Sequence, residues 1–142
     1  VARRKWVARG FVSLVVVVAS VATLVIRAHP SALGCPGAAL SSVIDCQSVV
    51  SSPFGVVLGL PLGDWSLVWL IGWWGSRVWR RAAPVAPFWS AVGLMGVAYA
   101  IGTEARIGHL CAWCTLNQVA IVVLAAVLGR RGVPKRGMGH DA

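Results

Sequence analysis

Four long apolar runs, joined by three connections, organise this chain. The first, Gly10 to about Ala28, is long enough to cross the hydrocarbon core of a bilayer as a helix, for which about 20 residues suffice. The second runs from about Leu62 to Trp79, the third from Pro84 and Pro87 to about Gly102, and the fourth from near Leu110 to just before Gly129. Both prolines are tolerable in a first helical turn. The predicted fold is therefore all-α and integral to the membrane, a four-transmembrane-helix bundle. Trp65, Trp69 and Trp73 recur every four residues and share one helix face. They predict packing and interfacial positions, or in a sharper reading an aromatic wall for a flat ligand. Trp73, Trp74 and Trp79, beside an arginine cluster, predict an aromatic belt. Gly96 and Ala100 form a small-xxx-small pair on which a neighbouring helix can approach closely.

The connections differ in character. From His29 to about Pro61 the chain is nearly uncharged, and Leu40 to Val50 reads as a short helix capped by Ser41 or Ser42. Phe54 to Leu62 is too apolar for a solvated loop and reads as a segment over the bundle mouth, where protein must cover its backbone. Thr103 to His109 reads as a short loop.

Composition fits this pattern: 58% of residues are hydrophobic and only 12% charged, against roughly 25% charged in soluble domains. A net charge of +9 by itself points to nucleic acid or an acidic partner, but its distribution excludes that reading. Arg3, Arg4, Lys5, Arg9, Arg77, Arg80, Arg81, Arg130, Arg131, Lys135 and Arg136 flank one side of the predicted spans, and only Arg27 and Arg106 the other. This is the positive-inside pattern, so the basicity orients the chain in a bilayer. It predicts a basic cytoplasmic N-terminus (1–9), a four-helix membrane domain (10–129) and a basic cytoplasmic tail (130–142). The first run exceeds the usual signal-peptide core of about 7 to 15 residues and reads as a retained anchor. Arginine-heavy, lysine-poor usage fits a GC-rich genome such as an actinobacterium's.

All four cysteines, Cys35, Cys46, Cys111 and Cys114, then lie on the extracytoplasmic face. Cys111 and Cys114 open the last apolar run three positions apart, on one helix face, where unpaired backbone N–H groups can hold a thiolate. A redox pair, a structural disulfide and half of a metal site all suit a bare CxxC. Outside the cytoplasm thiols are normally oxidised, which favours disulfide chemistry. Cys35 and Cys46 do not supply the second close pair that most zinc sites show. Cys114, one turn deeper than Cys111, should face the apolar interior while Cys111 sits at the water edge. Such a pair can hand electrons from an aqueous thiol to a lipid-soluble acceptor by thiol–disulfide exchange. Four cysteines allow three pairings, which spacing alone leaves open.

Cys46 followed by Val49, Ser51-Ser52-Pro53-Phe54-Gly55, Gly59-Leu60-Pro61-Leu62, and Cys111 with Cys114 at the head of the fourth run together resemble the bacterial homologues of vitamin K epoxide reductase. The resemblance spans about Gly10 to Gly129 and is to the form without a fused thioredoxin-like domain. It implies a multi-pass enzyme of the bacterial inner membrane that generates disulfides in a DsbA-like thioredoxin-fold partner and passes the electrons to a membrane quinone. Menaquinone is favoured, ubiquinone is the alternative, and no metal is implied. By the same resemblance Cys35 takes electrons from the partner, Cys46 exchanges with Cys111, and Cys114 faces the quinone. Ser52 would place its hydroxyl beside the quinone, with Phe54 next to it in a loop carrying a short helix over the site. Gln118 stands where the vertebrate enzymes carry a tyrosine. The vertebrate asparagine near the start of the second span has Leu62 or Asp64 in its place. Asp64 could relay a proton to the quinone or cap the second helix. These departures put epoxide reduction in doubt and leave quinone reduction open. The rivals are a DsbB-like enzyme, whose close cysteine pair belongs to the first outer loop, and a non-enzymatic bundle with structural disulfides.

Overall fold

The computed structural model describes residues 2–128; the predicted tail, 130–142, and Gly129 lie outside the described residues. Four long helices dominate: α1 (Ala2–Ala28), α3 (Leu62–Val78), α4 (Ala86–Ile107) and α5 (Ala112–Val122), the last continued by a wider π-helical turn over Val123–Leu128. The short α2 (Cys46–Val50) lies in the long connection. Val15 to Val18 is a β-branched run with a strand propensity in water. In hydrocarbon every backbone N–H and C=O must be satisfied within its own segment, and a helix does this. Pro84 falls in a 3-10 turn, Arg80–Val85, and Pro87 in the first turn of α4. The glutamate-bearing end of α4 runs past the predicted limit of Gly102 to Ile107, where Gly108 in left-handed conformation (φ 76°) donates its N–H to the Glu104 carbonyl and stops the helix.

Helix α1 packs against α3 and α5, and α4 against α3 and α5. Among the described residues two helices are long and apolar enough to cross a membrane, Arg3–Ala28 and Ala86–Ile107, while the apolar helix Ala112–Val127 is shorter. Ile71, Phe88, Met95 and Val119 are among many large apolar side chains that point outward, a coat that water would not tolerate over so much surface.

One packed cluster joins Val16, Trp69, Trp73, Leu124 and Ala125. Within it Trp69 and Trp89 are reciprocally bonded, each indole N–H donating to the other's backbone carbonyl at 2.8 Å. Two glycines make room for these rings: a Cβ on Gly93 would meet Trp69, and one on Gly72 would meet Trp89, each at 2.4 Å. The close approach predicted at Gly96 and Ala100 is thus found instead at Gly72 and Gly93, because the indoles dock there. A Cβ on Gly96 meets nothing within 4 Å. Of the predicted aromatic belt, Trp79 is exposed. Trp73 is fully buried, with the Arg77 guanidinium 4.3 Å from its ring centroid, and Trp74 donates to the Ser13 hydroxyl.

The long connection folds into a cap. Helix α2 is capped by Asp45, whose carboxylate accepts from the Ser48 N–H; Ser41, a predicted cap, instead accepts from Val43 N–H in a preceding turn. A 3-10 turn over Pro53–Gly55 leads to a minimal hairpin, β1 (Val56–Val57) and β2 (Leu60–Pro61). Its two turn residues, Leu58 (φ 52°) and Gly59 (φ 82°), both take positive φ, as the two-residue hairpin turn that matches strand twist requires.

Candidate functional site

Two backbone hydrogen bonds and one indole–carbonyl bond bring the cap and the head of α5 together. The Leu110 N–H donates to Val43 O at 2.8 Å and the Asp45 N–H to Leu110 O at 3.0 Å, making a parallel bridge between Ile44 and Leu110. Cys111 directly follows Leu110 and Cys46 lies two residues after Ile44, so the bridge brings these cysteines into one packed cluster. The Trp113 indole then donates to Gly34 O at 3.2 Å, tying the Cys35 segment to the same helix head. All four cysteines belong to one packed cluster with Ile26, Val49 and Val50.

Their states differ. Cys35 and Cys46 form a disulfide with Cα atoms 5.5 Å apart, whereas Cys111 and Cys114 are free thiols. Cys111 is the N-cap of α5 and its sulfur accepts from the Cys114 N–H at 3.2 Å. Cys46 and Cys111 are almost wholly buried, while Cys35 is partly exposed and Cys114 borders a cavity. Cys111 is therefore not at a water edge as expected: Cys46, Val49 and Val50 cover it, because the Ile44–Leu110 bridge folds the cap over the helix head. The openings lie at the two ends of the cysteine cluster, with the middle sealed.

The cavity measures about 430 Å³, within the usual range for small-molecule sites. Trp65, Trp69, Trp89 and Val97 give it apolar walls, Gly55, Val57 and Pro61 of the cap close its mouth, and Gly96 and Ala100 face it. Trp65 and Trp69 thus stand in the wall of a flat-ligand-sized space, whereas Trp73 on the same face serves packing alone. Its polar lining residues include Cys114, Asn117 and Gln118 of α5, Thr103 and Glu104 of α4, Ser66 of α3 and Thr23 of α1. Gln118 places its amide Nε2 3.4 Å from Glu104 Oε1. The Asn117 amide donates to the Ser66 hydroxyl at 2.9 Å and lies 3.4 Å from the Ser20 hydroxyl, while its buried Oδ1 has no partner among the described residues.

Of the predicted ligand-binding residues, Gln118 lines the cavity; Ser52, Phe54 and Asp64 do not. Ser52 caps the 3-10 turn by accepting from the Gly55 N–H at 3.2 Å. The Phe54 ring points outward and its carbonyl accepts from the Tyr99 hydroxyl. The cap's wall contribution comes from their neighbours, Gly55 and Val57. Asp64 lies in the first turn of α3, but the N-cap is Pro61 with no side-chain bond, so Asp64 neither caps the helix nor borders the cavity.

Sequence reasoning missed Glu104 and Asn117. Both carried a signal: a polar side chain inside an apolar run marks function by default in a membrane protein. Gly108 as a helix stop would have put Glu104 inside α4 rather than in a loop.

Outside the apolar region the clearest electrostatic feature is Asp45. The Ser48 hydroxyl, then the Ser48 N–H, hold its carboxyl below the usual carboxylate range, with smaller help from the Gln47 N–H and His109.

No curated protein and no solved structure matches the chain significantly. The model of the vitamin K epoxide reductase family matches residues 7–128, a stretch that takes in all four cysteines and every helix just described except the first residues of α1. The chain accordingly belongs to the vitamin K epoxide reductase family, a family of membrane-associated oxidoreductases.

Proposed function

We propose that this protein is a membrane thiol:quinone oxidoreductase that makes disulfides in an extracytoplasmic thioredoxin-fold partner. The observation that carries the reading is the position of Cys114, which ends a packed cluster of four cysteines and also forms part of the cavity wall. The cavity suits a quinone. Its walls are largely apolar and aromatic, and its polar lining residues include Cys114, Gln118 and Asn117, whose Oδ1 has no partner among the described residues. A bound quinone would accept two electrons and two protons there.

The chain's own steps follow from the exposures. A partner thiolate attacks Cys35, the accessible sulfur of the loop disulfide, and releases Cys46; the partner's second thiol then frees Cys35 and leaves the partner oxidised. Cys46 attacks Cys111 of an oxidised Cys111–Cys114 pair and releases Cys114. Attack of Cys35 on Cys46 restores the loop disulfide and leaves both helix thiols reduced. A bonded loop pair with a free helix pair, as in the structure, is the state ready to reduce the acceptor in the cavity. Burial of Cys46 and Cys111 keeps the central exchange away from solvent thiols.

Four membrane spans support this arrangement: α3 and α5 complete the bundle around the two longer helices, with both termini cytoplasmic and the cysteines outside. The basic residues at Arg3, Arg4, Lys5, Arg9, Arg77, Arg80 and Arg81 support this orientation. Menaquinone is the preferred acceptor on the strength of the compositional guess at an actinobacterial source.

The test is quinone reduction by purified protein in detergent, with soluble menaquinone and ubiquinone analogues and a reduced thioredoxin-fold partner. The parent should turn over and Cys114→Ala should lose on the order of 10³-fold or more. Cys35→Ala should fail with the protein partner yet still work with dithiothreitol. A parent inert with both quinone classes, or variants that leave the rate unchanged, would sink the reading.

A further inference from the structure

Glu104 takes no part in thiol exchange, yet it stands where the exchange ends. Its side chain is 5% exposed and lies in the cavity wall with Cys114 and Gln118. The Gln118 amide lies 3.4 Å from its carboxyl, and the Cys111 backbone N–H is turned to it as well. Among the described residues no cation acts on it. On α1 the guanidinium of Arg27 is turned to Val50 O, and before α2 the Asp45 carboxylate caps that helix. Arg106, on its own helix, is exposed. A carboxyl buried in an apolar region without a cation is a costly choice for packing alone, and Gly or Ala would fill the position at no such cost.

The missing function is proton transfer. Closing the Cys111–Cys114 disulfide breaks two S–H bonds, forms one S–S bond and sets free two electrons and two protons. Electrons can leave through Cys114 at the cavity wall, but Cys111 is sealed from water, so its proton needs a carrier inside the protein. Among the described residues Glu104 is the carboxyl in the wall that Cys114 shares, and the Cys111 backbone N–H is turned to it.

Resting on the quinone-reductase reading, we propose that Glu104 is the proton carrier between the helix thiols and the electron acceptor in the cavity. Its carboxylate takes the proton from the Cys111 thiol as the disulfide closes and gives it to an acceptor oxygen. It then carries the Cys114 proton to the second oxygen in the same way and ends as it began. Gln118, bonded to Glu104, is the positioning residue that keeps the carboxyl turned toward the cavity.

The experiment compares the parent with Glu104→Gln and Glu104→Asp, full length in detergent, by two readouts. The first is turnover with reduced partner and quinone, measured alongside the rate of mixed-disulfide formation with the partner. The second uses no quinone: it is the infrared difference between the dithiol form and the disulfide form made with diamide. The proposal expects Glu104→Gln to slow quinone reduction by about 10²- to 10⁴-fold with mixed-disulfide formation at the parent rate. Glu104→Asp, which keeps a carboxyl, should recover part of the loss. The parent difference spectrum should carry a carboxyl band that Glu104→Gln lacks. A Glu104→Gln protein that turns over at the parent rate overturns the proposal while leaving the quinone reading intact. Equal losses in both variants with no carboxyl band in the parent overturn it too, and assign Glu104 to structure. A parent inert with every quinone removes the underlying reading and the proposal with it.

Discussion

The tryptophan cluster, which draws on all four long helices, and the cysteine cluster, which joins α2 to α1 and the head of α5, are packed by opposite means. Around Trp69, Trp73 and Trp89 the fit is one of rigid shapes. The Trp69 and Trp89 rings lie against glycines, and their indole N–H groups donate to each other's backbone carbonyls across the contact. Around Cys46 and Cys111 the apolar residues are few, and the cap is held by two bridge hydrogen bonds, one indole–carbonyl bond and a disulfide. A shape-fitted contact has no second arrangement of similar energy, because close-packed interiors resist deformation. A disulfide beside free thiols has several arrangements, since exchange makes one S–S bond as it breaks another. The molecule thus keeps a fixed frame at one site and a rearrangeable one at the other.

Breaking the frame should have the larger effect. Gly93→Leu puts a Cβ 2.4 Å from the Trp69 ring, and overpacking of this kind costs about 1–3 kcal/mol or more. The expected result is a lower melting temperature in detergent, with Gly96→Ala, whose Cβ enters open space, near the parent. A Gly93→Leu protein that melts with the parent would show that the indole contact is not a tight one.

The cap should respond more weakly, and to acid. The Asp45 carboxyl sits below its ordinary value in the folded chain. Its stabilisation is therefore complete above the ordinary carboxylate pKa of about 3.9 and is lost as the pH falls through the lower folded value. Protection of the α2 amides, taken relative to their intrinsic exchange rates, should be the same at pH 5 as at pH 7 and should fall well below pH 4. Asp45→Ala should cost about 1 kcal/mol at neutral pH and remove that acid dependence. Unchanged acid dependence in Asp45→Ala would assign it to another group.

How much of this was legible in the sequence divides along the same line. Apolar run length located all four long helices, and α3 was placed to within a residue of its end, because a helix in lipid must satisfy its own backbone. Glu104 was misplaced in a loop because Thr103-Glu104 reads as polar, although Gly108 marks the true stop of α4. The cysteines were recognised from spacing and resemblance, yet the burial of Cys111 was not. It depends on the Ile44–Leu110 bridge, a pairing between distant segments that no local pattern encodes. Gly72 and Gly93 were likewise indistinct from Gly96 and Ala100, since which glycine meets an indole depends on helix rotation. Ser52, Phe54 and Asp64 carried weight from motif alone, and the wall is built from their neighbours.

The central claim is that Cys46 and Cys111 exchange directly through the sealed middle of the cluster. The measurement that tests it most directly is disulfide mapping by mass spectrometry, without reductant, on the Cys35→Ala/Cys114→Ala double variant. With their ordinary partners removed, Cys46 and Cys111 should form an intramolecular disulfide in most molecules. Two free thiols after mild oxidation, or bonds only between molecules, would contradict the account.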